Sequence, residues 1–148
     1  MEELTLLGER AVQAKYELQR MTTEKKNEVL EAVAEALIQN TEYLLLKNHK
    51  DLERGIANQM NPGLVDRLRL TKERIAGMAE GIRQIVKLPD PVGEILDDYE
   101  AENGLHIVKK RVPMGVIGII YESRPNVTAD AFGLCFKSGS AVILKGGS

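Results

Sequence analysis

A short stretch rich in proline and glycine, LPDPVG at residues 88–93, divides the chain into two parts with different periodicity. Proline lacks the amide hydrogen that a helix needs, and glycine tolerates backbone angles that end regular structure. Before this stretch the apolar residues recur at helical spacing, and after it they form short extended runs. The sequence therefore predicts an α/β chain in which helices come first and strands follow residue 93.

Two segments before this break have the pattern of amphipathic helices. In residues 27–40 the glutamates lie opposite an apolar stripe, which consists of Val29, Leu30, Val33, Ala36 and Leu37. Residues 71–88 repeat the pattern, and Thr71 stands where an N-cap hydroxyl would accept an orphan backbone amide. The predicted stripe of this second helix comprises Ile75, Met78, Ala79, Ile82, Ile85 and Val86.

The part after the break reads as a hairpin followed by a strand–helix–strand unit. Residues 94–112 are two extended runs around Asn103-Gly104, the pair that best tolerates the positive φ angles of a tight turn. Residues 116–121 form an apolar, β-branched run typical of a strand covered on both faces. A short helix over 129–137 and a second buried strand over 141–144 then predict a βαβ unit with a parallel sheet and a right-handed crossover.

Composition narrows the classes of partner. The 20 basic and 22 acidic residues nearly balance, which gives no electrostatic attraction toward nucleic acid or an anionic membrane. The sequence opens with neither a basic leader nor a run of about 20 apolar residues, and its single cysteine excludes an internal disulfide and fits a reducing compartment. We therefore expect a cytoplasmic protein that binds neither nucleic acid nor membrane.

Two glycines, Gly115 and Gly118, precede the first predicted strand of the βαβ unit. The glycines of a dinucleotide-binding fingerprint instead follow the strand and open the helix, so this spacing favours close packing at the strand entry. The residues expected at the carboxyl end of the strand are YESRPN at 121–126. Open parallel sheets place their ligands at that end.

The stretch VPMGVIGIIYESRPNVTADAFGLCFKSGSAVILKGGS, together with LPDPVGE and the earlier helical segments in the same order, resembles the glutamate-5-semialdehyde dehydrogenase (γ-glutamyl phosphate reductase) family of the aldehyde dehydrogenase superfamily. The resemblance implies an aldehyde dehydrogenase-like fold and NADPH-dependent reduction of a small molecule, γ-glutamyl phosphate, in proline biosynthesis. It also implies homo-oligomers and association with glutamate 5-kinase.

Members of that family are longer, and their thioester-forming cysteine lies in a later domain, so we expect the chain to be an N-terminal portion. We divide it into a helical segment (1–93), a hairpin used in oligomerisation (94–112) and the start of a dinucleotide-binding domain (113–148). These 148 residues alone are expected to be inactive. The alternative is a non-catalytic fragment that acts only in assembly or in partial cofactor binding.

The resemblance also assigns site residues. Lys145 corresponds to a lysine that reaches the adenosine ribose or its phosphate, and Ser148, after Gly146 and Gly147, replaces the glutamate of NAD-preferring members, so the cofactor is expected to be NADP(H). On the substrate side, Asn126 or Arg124 would stabilise the oxyanion, and Arg124 and Ser123 would bind substrate. Alternatively, Asn126 caps a helix and Arg124 forms a surface ion pair.

Three further residues lack the neighbours that catalysis or metal binding requires. Cys135 lies in GLCFK without an adjacent histidine or acid, which indicates core packing and not a nucleophile. His49 and His106 have no ligand spacing to a second histidine, a cysteine or a cluster of acids. The sequence therefore predicts no metal site.

Overall fold

The structure, a computed structural model, describes residues 2–122 and 124–147 and confirms the predicted α/β chain. Helices occupy the first part and strands appear only after the proline-rich break. In chain order the elements are α1 Glu2–Leu18, α2 Thr23–Gln39, α3 Thr41–Ala57, α4 Pro62–Leu68, α5 Lys72–Lys87, β1 Ile95–Glu100, β2 His106–Lys110, β3 Val116–Ile120, α6 Pro125–Lys137 and β4 Ala141–Lys145.

The centre of the core is the contact between α2 and α5, the two helices that the sequence predicts. Thr71 caps α5 as expected, because its hydroxyl accepts a hydrogen bond from the amide of Arg74. The buried stripe of α2 differs from the prediction, since Ala36 is exposed whereas Lys26 and Ala34 are buried. The buried core cluster comprises Leu30, Ala34, Ala79, Ile82 and Ile85. The most buried part of α2 is therefore the i, i+4 row of Lys26, Leu30 and Ala34, and Leu37 of the predicted stripe packs beside the core cluster.

Helix α6 packs against this core through a close approach to α5. Phe132 and Phe136 stack with ring centroids 5.4 Å apart, and both pack on the buried cluster. A Cβ atom at Gly133 would lie 2.7 Å from Cδ1 of Ile85 and 2.9 Å from Cδ1 of Ile82. The spacing of the two helices thus depends on the missing side chain at position 133.

A buried cluster of ionic side chains joins α2, the proline-rich break and the end of α6. Lys26 is 1% exposed, and its Nζ donates to Oδ2 of Asp90 at 2.8 Å and to the carbonyl of Lys137 at 3.3 Å. Lys137, 3% exposed, donates from its own Nζ to Oδ1 of Asn27 and, at 3.1 Å, to the carbonyl of Val86. We call Lys26, Asp90 and Lys137 the buried ion cluster.

Asp90 is the only acid of this cluster, and it also accepts hydrogen bonds from the Thr23 hydroxyl and the Val92 amide. Burial by itself would raise the pKa of Asp90, but the bonds from Lys26, Val92 and Thr23 together lower that pKa. Burial lowers the pKa of Lys137, against the opposing effect of Asp90. The carboxylate therefore stays ionised and compensates the buried ammonium groups.

The βαβ unit is present with shifted boundaries. β3 and β4 pair in parallel, in register from Val116 opposite Ala141 to Ile120 opposite Lys145. Helix α6 begins at Pro125, four residues earlier than predicted, because proline at the first helical position has no amide that needs a partner. β3 ends at Ile120, one residue earlier than predicted. β4 ends at Lys145, one residue later than predicted.

The prediction that β3 is covered on both faces is wrong for the described residues. Ile120 is 86% exposed and Gly118 is exposed as well. The cause is the size of the sheet, which has two strands within residues 2–122 and 124–147. Helix α1 contacts both strands and α6 contacts β4. β4 is likewise only partly buried.

The hairpin lies where the sequence places it, with β1 and β2 antiparallel. Its turn differs in detail, because Gly104 has a φ of 80° while Asn103 does not adopt a positive φ. The amide of Gly104 donates to the carbonyl of Ala101 at 2.8 Å, which closes a four-residue turn before the glycine enters the left-handed region. All residues of β1 and β2 are exposed.

Within the part of the chain that the structure describes, no helix has the combination of length and apolar character needed to cross a lipid bilayer.

We predict that Asp90→Ala destabilises the chain by about 3–5 kcal/mol, because it leaves the buried Lys26 ammonium without its counterion. The matched control is Glu31→Ala, which removes the carboxylate of the exposed Arg83–Glu31 pair and should cost less than about 1 kcal/mol. Urea unfolding followed by circular dichroism measures both values. Equal losses from the two substitutions would contradict a dominant role for the buried ion cluster.

Candidate functional site

The carboxyl ends of the two parallel strands lie side by side, because Ile120 pairs with Lys145. The segment after β3 leads directly into α6, and Gly146 and Gly147 follow β4. Two open clefts flank the start of α6 at this edge of the sheet. This is the edge at which open parallel sheets bind ligands.

The first cleft has a volume of about 510 Å³ and joins residues from both strand ends. Arg124, Gly146 and Gly147 line it together. The Tyr121 hydroxyl lies 2.6 Å from Oγ1 of Thr128 and so ties the end of β3 to the first turns of α6. The opposite wall comes from α3 and the residues that follow it: Asp51, Arg54, Gly55, Asn58, Met60 and Leu68.

The second cleft, of about 430 Å³, lies between α4, α5 and α6, and we call it the arginine cleft. Its charged and amide side chains are Asp66, Arg67, Arg69, Arg74, Arg124, Asn126 and Asp130. Arg124 lines both clefts, whereas Asn126 lines the arginine cleft and is absent from the lining of the first. Of the residues that the sequence assigns to substrate binding, Arg124 therefore lies at the junction of the two clefts.

Two of the four arginines are held by acidic partners. Nη1 of Arg67 lies 3.0 Å from Oε2 of Glu122, an ion pair that connects α4 to the segment after β3. Arg74 donates to the backbone carbonyls of Asp66 and Arg69 at 2.6 and 2.7 Å, and it lies 3.4 Å from the Asp66 carboxylate. These two side chains thus form the frame of the cleft.

The remaining two arginines, Arg69 and Arg124, have no carboxylate partner among residues 2–122 and 124–147. The surface ion pair considered for Arg124 is accordingly not formed within this range. Asn126 is not the helix cap either, since Arg124 occupies the N-cap position of α6, with no capping bond from its side chain. Pro125 and Asn126 lie in the first turn.

Sequence reasoning missed Arg67, Arg69 and Arg74 as site residues. They lie in VDRLRLTKER, a segment whose alternating charges are typical of a solvated helix surface. The only local signal is the density of arginine, three in eight residues of the sequence from 67 to 74. Their convergence with Arg124 depends on the packing of α5 against α6.

On the cofactor side, Lys145 is exposed at the end of β4, and its Nζ donates to the carbonyl of Gly146 at 2.8 Å. It lines neither of the two clefts. The candidate residues Ser123 and Ser148 lie outside the residues that the structure describes.

Cys135 lies on the side of α6 that faces the protein interior and is 7% exposed. Burial raises the pKa of its thiol, which opposes formation of the nucleophilic thiolate. His49 and His106 are exposed and lie beside Glu53 and Asp98, respectively. In the described ranges no three His, Cys, Asp or Glu side chains are grouped so that they could hold a metal ion.

We predict that the Cys135 thiol reacts with iodoacetamide at a rate at least roughly tenfold lower than that of an exposed thiol on the same helix. The comparison is a Cys135→Ala/Leu134→Cys variant, because Leu134 is an exposed neighbour on α6. Both thiols should react at similar rates in denaturant. Equal rates in the native state would show that Cys135 is accessible and would make it a candidate nucleophile.

The chain is similar in sequence and in structure to proteins named γ-glutamyl phosphate reductase. A γ-glutamyl phosphate reductase of Clostridium botulinum (strain Eklund 17B / Type B) is 51% identical over 148 residues, which are 100% of this chain and 36% of the relative. The crystal structure of γ-glutamyl phosphate reductase from Thermotoga maritima matches with a TM-score of 0.90 at 40% identity, over 94% of this chain and 34% of that one. No family model matches the chain.

A probable aldehyde dehydrogenase from Listeria monocytogenes has the same fold, with a TM-score of 0.70 at 18% identity over 98% of this chain and 29% of that one. The predicted aldehyde dehydrogenase-like architecture is thereby confirmed. The chain spans about a third of the length of the relatives that it matches. By sequence and by fold, the chain is similar to about a third of the length of proteins named γ-glutamyl phosphate reductase.

Proposed function

We propose that the chain is part of an NADPH-dependent γ-glutamyl phosphate reductase of proline biosynthesis. The observation that carries this proposal is the identity of 51% along the entire chain to a relative of that name. In this reaction a hydride replaces phosphate on the acyl carbon, which yields the semialdehyde and inorganic phosphate. Because the chain covers 36% of that relative, the activity belongs to a protein of the relative's length.

The thioester step of the proposal requires a thiolate that these residues do not supply. Cys135 is buried, and burial raises its pKa, so it is poorly suited to attack an acyl phosphate. The nucleophile is therefore assigned outside residues 1–148. It follows that the 148 residues alone should not turn over substrate.

On the substrate side, Arg124 is proposed to bind the anionic acyl phosphate. Its guanidinium has no acidic partner in the described ranges and lines both clefts, so it can form two parallel hydrogen bonds to a phosphate. Asn126, in the first turn of α6, remains the candidate for donating an amide hydrogen to the oxyanion. Ser123 belongs to the same proposed substrate group.

The end of β4 and the residues after it suit a phosphorylated nicotinamide cofactor. Lys145 is exposed, and its ammonium group contacts a backbone carbonyl and no carboxylate in the described residues, so it is available to a phosphate. Gly146 and Gly147 line the first cleft without side chains that would obstruct a close approach. Together with Ser148, these residues are proposed to bind NADP(H), which supplies the hydride.

We predict that Lys145→Ala, in a protein of the relatives' length that contains this chain, lowers the efficiency with NADPH about 10- to 100-fold more than with NADH. The lysine would lose a charge-assisted bond of roughly 1.5–3 kcal/mol to the 2′-phosphate, which NADH lacks. The measurement is the ratio of kcat/KM for the two cofactors. Lys109→Ala, at an exposed hairpin lysine, is the control and should leave this ratio unchanged.

An equal loss for both cofactors would refute the assignment of Lys145 to the 2′-phosphate. Ser148→Glu provides an independent check, because a carboxylate at that position should repel the phosphate and shift the preference toward NADH.

The hairpin is proposed to join subunits of a homo-oligomer. A two-stranded hairpin is marginally stable by itself, and every residue of β1 and β2 is exposed. Tyr99 and Ile107 are directly opposite each other in the register and so project from the same face. An aromatic–β-branched pair on an exposed face is suited to packing against a second subunit.

We predict that Ile107→Glu lowers the mass measured by light scattering for a protein of the relatives' length, because a carboxylate would be placed inside the subunit contact. The control is Glu102→Gln, in the exposed turn outside both strands, which should leave the mass unchanged. A wild-type protein that is monomeric at micromolar concentration would refute the proposal directly.

A further inference from the structure

The arginine cleft contains charges of both signs that have no partner within the described part of the chain. Arg67 and Arg74 are neutralised by Glu122 and Asp66, as described above. Arg69 and Arg124 remain without acidic partners among the same residues. Two cations of this cleft are therefore available to a ligand.

Asp130 is the unpaired anion of the arginine cleft. It lies on α6, is half-buried, and forms neither a hydrogen bond nor an ion pair with the described residues, although four guanidinium groups line the same space. A Cβ atom at Gly81 would lie 3.4 Å from Oδ1 of Asp130, so the carboxylate sits where α5 and α6 approach each other. The Asp130 carboxylate is partly exposed and has no donor among the described residues, so it is available to a cationic group of a ligand.

The backbone of residues 68–70, which includes Arg69, is held by hydrogen bonds. Asn48, a buried residue of α3, donates to the carbonyl of Leu68 at 2.8 Å and accepts from the amide of Leu70 at 2.7 Å. The carbonyl of Arg69 itself accepts from Arg74 at 2.7 Å. The backbone on both sides of Arg69 is thus fixed before a ligand arrives, which lowers the entropy cost of binding.

We infer that the arginine cleft recognises the α-carboxylate and α-ammonium groups of an amino-acid substrate, with Arg69 on the carboxylate and Asp130 on the ammonium. This inference rests on the proposed function. The available groups, two cations and one anion, complement a ligand with two anions and one cation. An amino acid whose side-chain carboxylate is phosphorylated, such as γ-glutamyl phosphate, has that set, and Arg124 at the junction of the clefts is left for the acyl phosphate.

The charge pattern disfavours simpler ligands. A dicarboxylate without an ammonium group would leave Asp130 unpaired and would be repelled by it. A monocarboxylate amine would leave Arg69 without a partner. The cleft should therefore discriminate against acids that lack either group.

The experiment is a titration of the isotope-labelled chain by amide-detected NMR with three compounds: L-glutamate, glutarate, which lacks the ammonium group, and 4-aminobutyrate, which lacks the α-carboxylate. In L-glutamate the γ-carboxylate stands in for the acyl phosphate. We expect L-glutamate to bind roughly tenfold more tightly than either analogue, the difference made by one charge-assisted contact. The shifted amides should include those of residues 69 and 130.

Two variants assign the contacts. Asp130→Asn should weaken L-glutamate and 4-aminobutyrate but not glutarate, because glutarate has no ammonium group to lose. Arg69→Gln should weaken L-glutamate and glutarate but not 4-aminobutyrate. Arg83→Gln, on α5 but paired with Glu31 and absent from the cleft lining, should change none of the three affinities. Thermal unfolding of each variant verifies that the fold is retained.

Equal affinity for L-glutamate and glutarate in the wild-type chain would overturn the inference, as would a loss in either variant that is the same for all three compounds. Such results leave the reductase proposal standing, because that proposal is decided by NADPH-dependent turnover of γ-glutamyl phosphate in a protein of the relatives' length. If none of the compounds shifts any residue of the arginine cleft, the inference is also wrong. A reductase that in addition shows no turnover with NADPH would refute the proposed function itself.

Discussion

The pairing of Lys26 with Asp90 inside the protein is the interaction on which the rest of the structure depends. It joins residues 64 positions apart, and the second bond of Lys26, to the carbonyl of Lys137, spans 111 positions. These contacts hold α2, the segment that ends α5 and the last turn of α6 at one point. Since ammonium groups are costly to bury without a counterion, a fold that separated these elements would leave Lys26 or Asp90 uncompensated.

The contacts that fix the last turn of α6 also fix the position of its first turns. With its last turn fixed by the buried ion cluster and its middle pressed against α5 through Gly133, α6 places Arg124 and Asp130 at the edge of the sheet. The frame of the neighbouring cleft comes from α4 and α5, through the Arg67–Glu122 and Arg74–Asp66 pairs. These pairs are exposed and contribute little stability, so their effect is mainly to orient side chains.

Under the proposed function, the clefts adapt the fold to a charged substrate. The likeness to a probable aldehyde dehydrogenase at 18% identity concerns the fold alone, whereas the relatives named γ-glutamyl phosphate reductase share about half of the residues. The reductase substrate has charges that a simple aldehyde lacks. Under the proposal, the guanidinium groups of α4, α5 and the residues that flank α4 and α6 provide the complementary lining.

The sequence by itself determined the local elements. Thr71 as a cap, the prolines at 89 and 91 and the glycine at 104 act on their immediate neighbours, so their effects could be predicted within a few residues. Only the tertiary structure decided that Lys26 and Lys137 are buried, that Ala36 is exposed, and that Arg69, Arg124 and Asp130 share one cleft. Each of these outcomes depends on which helix faces meet, and that is set by packing between segments distant in sequence, which periodicity and propensity do not specify.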